Sequence, residues 1–225
     1  MVTQPRTTPA GPPVHPGAAS AIPAGQRLVP NFSGAFRAIE LVEQLLEQFT
    51  NALETAKIPY AVVGGYAVAA WVAAIDSGAT RYTKDVDVLV RRSDLPRVTV
   101  ATEGIELVRG DDNGMVVFMR RSDTTPRRGV HVILAGERIR PGCSSIAPDI
   151  AASCRSSQGY TVINLPELLR MKLEAYRRHD QVHIEDMLRV GLIDEELTAT
   201  LPAHLLERLR HVRDTMEWST EPPKF

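Results

Sequence analysis

Residues 62–90 read VVGGYAVAAWVAAIDSGATRYTKDVDVLV, and this stretch decides the predicted fold. A short apolar run leads into the pair Gly64-Gly65, and an alanine-rich segment follows the glycines. The stretch ends in a second apolar run, which carries Asp85 and Asp87. Short apolar runs bounded by glycine favour buried strands, so the pattern predicts a strand, a tight turn, a helix and a second strand.

Asp85 and Asp87 are separated by one residue, and this spacing decides where their carboxylates lie. Alternate side chains of a strand point to the same face, so we expect both carboxylates on one side of the sheet. Repulsion and desolvation make such a pair unfavourable in an apolar strand. A divalent cation removes this penalty, and Mg²⁺ binds one or two carboxylates together with substrate phosphates. The pattern therefore predicts Asp85 and Asp87 as ligands of Mg²⁺ or Mn²⁺.

Gly64 and Gly65 stand at the predicted turn from strand to helix. Glycine has no Cβ, so a phosphate can approach the backbone, and the following helix N-terminus offers N–H groups and the positive end of its dipole. A glycine pair is a weak signal by itself, and so is Asp-x-Asp. The succession of strand, glycine pair, helix and Asp-x-Asp is much more specific, and it predicts a phosphate-binding turn beside a metal site.

This succession resembles the nucleotidyltransferase superfamily of the DNA polymerase β type, and within it the bacterial minimal and AbiEii-like families. The superfamily pattern is G[G/S], a short helix and then D-h-[D/E]-h, where h is apolar. Residues 81–84, RYTK, are similar to the R-x-T-x segment that precedes it. Residues 165–186 are similar to the family's lysine helix and its (R/K)D-x-x-D helix. The resemblance covers roughly residues 35–194.

The resemblance implies that a substrate hydroxyl attacks the α-phosphate of a nucleoside triphosphate and that pyrophosphate leaves. Asp85 and Asp87 would hold the metal ions, Lys172 would neutralise phosphate charge, and Asp186 would orient the nucleotide or the acceptor. The acceptor would be a small molecule, a protein or tRNA, and a role in a toxin–antitoxin pair is one expectation. The resemblance also implies an α+β fold, with a nucleotidyltransferase-like mixed sheet flanked by helices and a small C-terminal helical bundle.

His131 departs from the family pattern. Active members have a third carboxylate on a neighbouring strand, and the strand that corresponds here has His131 at that position and Glu137 beyond its end. Imidazole can act as a general base or a ligand, but it suits Zn²⁺, Ni²⁺ or Cu²⁺ better than Mg²⁺. Two hypotheses follow: an active nucleotidyltransferase, or a catalytically degenerate protein of that fold that binds a nucleotide or a partner.

The predicted site residues fall into three groups. The catalytic residues are Asp85, Asp87, His131 and Lys172; the nucleotide-binding residues are Gly64, Gly65, Lys84 and Asp186; and the metal ligands are Asp85 and Asp87.

Several of these residues have a structural interpretation as well. Lys172, on an amphipathic helix, is equally consistent with a solvated surface residue. Asp186 and His183 are consistent with a polar helix face, and His131 with a structural histidine. Trp71 is predicted to be a core residue. The arginine pairs of the sequence would line a groove for triphosphate or RNA, or would simply be exposed.

The composition restricts the class of protein. The chain has 225 residues, 26 Lys and Arg against 27 Asp and Glu, and 44% hydrophobic residues, which is typical of a globular protein of one or two domains. A net charge of −1 argues against a general nucleic-acid coat. Cys143 and Cys154 are too few for a disulfide scaffold. With no secretory signal and no apolar membrane span, we expect a cytoplasmic protein without disulfides or membrane contact, of open oligomeric state.

The elements outside residues 62–90 follow from periodicity and turn signals. We expect a disordered Pro/Ala/Gly-rich tail at residues 1–30, a nucleotidyltransferase-like α/β domain at 31–164, a C-terminal helical region at 165–218 and a tail at 219–225. Ser93 is a predicted cap of a short helix, and Asp111-Asp112-Asn113-Gly114 a predicted hairpin turn. A first helix of about 20 residues is predicted to bury Phe36, Ile39, Val42, Leu46, Phe49 and Leu53. The other predicted elements are strands at 105–109, 115–120 and 130–134 and helices at 166–178, 182–190 and 203–215.

Overall fold

The computed structural model of the chain describes residues 32–123, 125–139 and 145–216. The predicted tails at 1–30 and 219–225 and the residue Cys143 lie outside the described residues, and the predicted domain boundaries stay a prediction. The helices are α1 Phe32–Thr55, α2 Gly64–Ala73, α3 Leu95–Glu103, α4 Leu165–Ala175, α5 Arg178–Arg189, α6 Glu195–Ala199 and α7 Ala203–Thr215. The strands are β1 Ala61–Val63, β2 Val86–Val90, β3 Leu107–Asp112, β4 Met115–Arg120, β5 Val130–Leu134, β6 Ser153–Arg155 and β7 Thr161–Ile163.

The seven strands form one mixed sheet in the order β3-β4-β5-β2-β1-β7-β6. The pairs β2–β5 and β1–β7 are parallel, and the other neighbouring pairs are antiparallel. Helices flank this sheet, so the predicted α+β class with a mixed sheet is confirmed. No helix of the described ranges is both long and apolar enough to span a membrane.

The two faces of the sheet bury two different hydrophobic clusters. Along β2, Val86, Val88 and Val90 pack with α1 and α3, whereas Leu89 packs with α2, α4, α5 and α7. The alternation follows from the two-residue repeat of a strand, and it places Asp87 on the same face as Leu89. The face that carries Asp87 is therefore the one covered by the C-terminal helices.

Trp71 of α2 is half-buried and packs against both hydrophobic clusters. Its indole Nε1–H donates a hydrogen bond of 3.0 Å to the backbone oxygen of Ile163 in β7. A buried indole usually finds such a partner for its N–H. The prediction that Trp71 is a core residue is confirmed.

The hairpin between β3 and β4 follows the predicted turn. Asn113 and Gly114 have φ values of 53° and 84°, as the two central residues of a type I′ turn require. Strand β3, however, is shifted: it runs from Leu107 to Asp112 rather than over residues 105–109. Glu106 has a positive φ of 58°, which delays the start of the strand.

The first helix differs from its prediction at one end. Phe36 is 65% exposed, while burial begins at Leu45 and continues through Phe49 and Leu53. The prediction of one continuous buried face is therefore wrong at Phe36. The Phe36 side chain is largely in solvent although its spacing fits the apolar stripe.

Three boundaries differ from the sequence-based predictions for local reasons. Ser93 does not cap α3, because it lies inside a short 3₁₀ turn and Asp94 precedes the helix instead. The predicted helix at 166–178 ends at Ala175, where Tyr176 takes a left-handed conformation with a φ of 46°. Strand β2 begins at Val86, so Asp85 immediately precedes the strand rather than lying in it.

Candidate active site

A cleft of about 490 Å³ opens on the sheet face that carries Asp87, where helices α4 and α5 approach strands β2 and β5. Its walls come from the first turn of α2, the strand ends, the β3–β4 hairpin and the two helices. The lining residues are Gly64, Gly65, Thr83, Asp85, Asp87, Asp112, Asn113, Met115, His131, Ile133, Ile139, Leu168, Met171, Lys172, Ala175, Arg177, His179, Asp180 and His183.

Asp85, Asp87 and His131 meet at one end of this cleft. Strands β2 and β5 are parallel with Asp87 opposite His131, so the two side chains are neighbours on the same face. His131 Nδ1 lies 3.9 Å from Asp87 Oδ1, and the His131 side chain is 13% exposed. The register of two apolar strands thus brings the predicted catalytic residues together.

The glycine pair closes tightly over this acidic end. Gly64 has a φ of +67°, and a Cβ added there would overlap Asp87 Oδ2 and lie 3.0 Å from Asp87 Cγ. A Cβ on Gly65 would lie 2.9 Å from Cβ and Cγ2 of Thr83. Because a Cβ at either position would collide with its neighbour, both glycines are needed for the turn to pack against Asp87 and Thr83.

The first turn of α2 has free backbone amides for a ligand. Val63 is the N-cap residue, and its side chain makes no capping hydrogen bond. A helix N-terminus without a side-chain cap keeps its N–H groups available, and the dipole makes them attractive to an anion. Because the glycine turn packs against Asp87, these amides lie beside the acidic end of the cleft, and this geometry suits a phosphate there.

The charge state of Asp87 follows from its surroundings. Burial raises the pKa of Asp87, the neighbouring Asp85 carboxylate adds to this, and His131 and Lys172 oppose it. A carboxylate whose anionic form is destabilised in this way is stabilised when a cation binds beside it. The site therefore fits a divalent cation electrostatically.

The donor set fits a cation that also binds the substrate. Within the described residues, no group of three or more His, Cys, Asp or Glu side chains is arranged to hold a metal ion. Two carboxylates, Asp85 and Asp87, line the acidic end, and Mg²⁺ commonly uses one or two carboxylates with phosphate oxygens and water completing its shell. The arrangement fits a metal that arrives with a nucleotide better than a closed structural metal centre.

Lys172 is buried, so the alternative of a solvated surface lysine is wrong. It is 5% exposed, and its Nζ donates a hydrogen bond of 3.1 Å to Oδ1 of the fully buried Asp180. Burial lowers the pKa of Lys172, while Asp180 and, more distantly, Asp87 raise it. The only charged group of α4 that lines the cleft, within the described part of the chain, is therefore a desolvated cation beside the acidic end.

Asp180 holds Lys172 and Arg177 together at the start of α5. Arg177 Nε donates a hydrogen bond of 2.7 Å to Asp180 Oδ2, and the backbone N–H of Arg177 donates to the same oxygen. Burial acts to raise the pKa of Asp180, but the hydrogen bond from Arg177 and the charge of Lys172 hold that pKa below its ordinary value. This three-residue network fixes the position of the lysine in the cleft wall.

His183, one turn further along α5, is a neutral group in the cleft. Burial, followed by the charge of Lys172, lowers the pKa of His183 to about 4. Its Nδ1 is buried and has no hydrogen-bond partner in the structure. His179 lies beside it, with the two ring centroids 6.1 Å apart. The unpartnered nitrogen is available to a bound substrate.

Three residues that the sequence analysis considered for the site lie outside the cleft. Lys84 is exposed and does not line the cleft, and Asp186 is bound to Arg81, whose Nε donates to its Oδ1 at 2.8 Å. Glu137 is bound to Arg92 by two hydrogen bonds of 2.7 and 2.6 Å. The nucleotide-binding roles of Lys84 and Asp186 remain predictions, and Glu137 does not supply the missing carboxylate.

Three of the eight paired arginines bind carboxylates at the surface. Arg91, Arg92 and Arg128 form ion pairs with carboxylates at the surface. Of the described arginines, Arg177 alone lines the cleft. The arginine pairs therefore do not form one continuous basic track in the described structure.

Some cleft residues could not be singled out as site residues from the sequence. Asp112 and Asn113 reach the cleft from the tip of the β3–β4 hairpin, where the sequence pattern signals only a turn. Asp180 and His183 belong to the segment that resembles the family's second helix, but nothing local showed that Asp180 is buried against Lys172. That lysine and aspartate are eight residues apart, on two different helices.

The chain was also compared with known proteins. No protein-family model matches the sequence, and no curated protein matches it. A solution structure of the antibiotic-resistance factor ANT(2'')-Ia has 11% identity and a TM-score of 0.42, over 80% of this chain and 84% of that chain. A crystal structure of ANT(2'')-Ia in complex with adenylyl-2''-tobramycin has 13% identity and a TM-score of 0.45, over 76% and 96%.

A further similar structure is an antigenic nucleotidyltransferase-like protein from Paracoccidioides brasiliensis, with 16% identity and a TM-score of 0.48 over 78% of this chain and 88% of that chain. All three TM-scores lie below 0.5. Placement in the AbiEii-like family stays a prediction.

Proposed function

We propose that the chain is a metal-dependent nucleotidyltransferase, which transfers a nucleoside monophosphate from a nucleoside triphosphate to a hydroxyl group. The observation that carries this proposal is one cleft that combines Asp85 and Asp87, a glycine turn open to phosphate, and the buried cation Lys172. Each part binds a different portion of a metal–triphosphate complex.

Asp85 and Asp87 would hold Mg²⁺ or Mn²⁺. When bound, such an ion supplies charge neutralisation of the triphosphate and stabilises the attacking and leaving oxygens. Because Gly64 and Gly65 have no Cβ, the first turn of α2 packs against Asp87 and Thr83, and its amides lie beside the acidic end where the phosphates would bind. Lys172 adds a positive charge that Asp180 keeps in place.

His131 is the proposed base for the acceptor hydroxyl. Its Nδ1 is the atom nearest Asp87, which leaves Nε2 to accept the hydroxyl proton. The hydroxyl oxygen then bonds to the α-phosphorus, the bond from that phosphorus to the bridging oxygen breaks, and pyrophosphate leaves with the electron pair. The carboxylate of Asp87 stabilises the imidazolium that results.

The acceptor in this proposal is a hydroxyl of a small molecule, a protein or tRNA. In a toxin–antitoxin role, which is part of this proposal, the acceptor is a host protein or tRNA. A cytoplasmic location belongs to the same proposal, since nucleoside triphosphates and these acceptors occur there.

The test is transfer of label from each of the four α-labelled nucleoside triphosphates into cell lysate, with Mg²⁺ or Mn²⁺. We expect one labelled acceptor class, separable as small molecule, protein or tRNA, and at least about a thousandfold loss in the doubly substituted Asp85→Asn, Asp87→Asn protein. Asp149→Asn is the matched control, because this carboxylate is exposed and lies outside the cleft. Equal labelling by the doubly substituted protein would refute the proposal.

A second candidate function is a nucleotide- or partner-binding module without turnover. The observation that favours it is His131, which stands opposite Asp87 where a third carboxylate is expected. This hypothesis predicts that the nucleotide is bound and recovered intact, and that His131→Asp creates transfer activity. Detection of transfer by the unmodified chain rejects it.

A further inference from the structure

A second cavity, of about 730 Å³, opens between helix α1, helix α2 and the turn that joins β6 to β7. It shares no lining residue with the candidate active site. Sites for small organic ligands commonly have volumes of this order, whereas a single water needs far less space. The cavity is therefore large enough for a small organic molecule.

Tyr66 carries a buried hydroxyl with no hydrogen-bond partner in this wall. The residue is 6% exposed, and its hydroxyl is unpartnered. Burial raises the pKa of Tyr66, and Glu43, Tyr160 and Tyr82 raise it further. Tyr66 and all three of these side chains line the cavity, and the Tyr66 hydroxyl itself is buried in the cavity wall.

Thr80 lies in the same wall and its Oγ1 is also buried without a partner. Buried hydroxyls are nearly always hydrogen-bonded, because an unmade bond costs the full desolvation of the group. Two unpartnered hydroxyls around one cavity point to a ligand that itself carries a hydroxyl or another small polar group.

The charge of the cavity is negative. Glu43 and Glu47 are one helical turn apart on α1 and both line the cavity. Neither carboxylate forms an ion pair with a described residue. Arg81 also lines the cavity, but its Nε–H is donated to Asp186. Two adjacent carboxylates without a cation of their own favour a positively charged ligand.

Aromatic side chains complete the wall. Tyr82 is 64% exposed at the cavity, and Tyr160 is held there by a hydrogen bond from its hydroxyl to Gln158 Oε1. With Tyr66 they supply three tyrosine rings beside the two carboxylates. The faces of aromatic rings attract organic cations, including quaternary ammonium groups.

We propose that this cavity is a binding site for a small amino alcohol, a molecule with an organic ammonium group and a hydroxyl. The ammonium group lies among the tyrosine rings near Glu43 and Glu47, and the ligand hydroxyl pairs with Tyr66 and Thr80. This site is separate from the proposed nucleotide cleft, and its occupancy does not depend on nucleotidyl transfer.

The test is isothermal titration calorimetry of the full chain with choline, which carries both groups, and with its neutral isostere 3,3-dimethylbutan-1-ol. We expect saturable binding of choline and at least about tenfold weaker binding of the isostere, because the cation–π and carboxylate attractions are lost. Equal binding of the two compounds, or no binding of choline, would overturn the proposal.

Matched variants locate the choline site. The doubly substituted Glu43→Gln, Glu47→Gln chain and the Tyr82→Ala chain are each expected to bind choline at least about tenfold more weakly. Glu40→Gln, on the same helix but outside the cavity, is expected to bind normally. Asp85→Asn with Asp87→Asn is also expected to bind choline normally, and a loss there would assign choline to the acidic end of the cleft and refute the second site.

Discussion

The ion pair of Lys172 and Asp180, in the cleft between the sheet and helices α4 and α5, is buried, whereas the rim pair, Arg92 and Glu137, is exposed. The Lys172 and Asp180 side chains are 7% and 0% exposed, while those of Arg92 and Glu137 are 64% and 37% exposed. The rim pair has the shorter contacts, 2.6 Å against 3.1 Å. Because water solvates the rim charges whether or not they pair, contact distance alone does not measure the importance of a pair.

The largest expected effect on stability is that of Lys172→Met. Removal of the lysine leaves Asp180 charged and buried with Arg177 as its remaining strong partner. We expect the free energy of unfolding to fall by about 3 kcal/mol, measured by urea denaturation. The control is the doubly substituted Lys172→Met, Asp180→Asn chain, in which most of the loss is recovered. A single variant as stable as the parent would contradict a charged buried pair.

Gly64→Ala extends the comparison to the backbone of the cleft. Alanine at a φ of +67° is strained, and its Cβ overlaps Asp87 Oδ2, so we expect a loss of about 2 kcal/mol in unfolding free energy together with weaker nucleotide binding. Gly136→Ala is the matched control: it has a φ of +73° with no atom within 4 Å of the added Cβ, and about 1 kcal/mol is expected. Equal losses in the two variants would show that the contact with Asp87 does not matter.

The pH dependence of stability reports on His183 in the cleft. Its pKa in the folded chain is about 4, below the ordinary 6.5, so between these values the unfolded chain binds a proton that the folded chain does not. Stability is therefore lost as pH falls through this window, by about 1 kcal/mol after allowance for partial solvent screening of the ring.

The measurement for His183 is urea denaturation at pH 7 and at pH 4.5, with His183→Gln beside the parent chain. The variant is expected to lose less stability on acidification than the parent. His204→Gln is the control, because His204 is exposed. If the parent and the His183→Gln chain lose the same free energy of unfolding between pH 7 and pH 4.5, His183 does not cause the pH dependence.

The smallest effect is expected at the rim. Arg92→Gln removes a pair with good geometry, yet both partners are solvated in the folded chain. We expect its urea midpoint to equal that of the parent within experimental error, and its nucleotide binding to be unchanged. A loss as large as that of Lys172→Met would remove the distinction between cleft and rim.

The parts of the fold that follow from local pattern were predictable. Strands β4 and β5 and helix α7 have the predicted bounds, and the Asn113-Gly114 turn has the predicted left-handed pair of residues. Strands β6 and β7 were not predicted, because three residues are too few for a period-two pattern and no glycine pair marks their ends as Gly64-Gly65 marks that of β1. Their place in the sheet depends on pairing with β1, which is a long-range property.

The candidate site was predictable where its residues share one strand or one turn. Asp87 and the glycine pair needed only strand alternation and turn chemistry, whereas Asp85 lines the cleft from the position just before the strand. The approach of His131 to Asp87 follows from the β2–β5 register, and the burial of Lys172 depends on Asp180 of the next helix. Neither the approach of His131 to Asp87 nor the burial of Lys172 can be predicted from the neighbouring residues in the sequence, because both depend on the tertiary structure.

The most direct test of the central claim is binding of a nucleoside triphosphate by calorimetry, with and without Mn²⁺. The claim is that Asp85 and Asp87 face a phosphate-binding turn and bind metal and triphosphate together. We predict binding that requires Mn²⁺ and that is lost in the Asp85→Asn, Asp87→Asn chain, while Asp149→Asn binds as the parent does. Binding that is equal with and without the two carboxylates, or no binding of any of the four triphosphates, would contradict it.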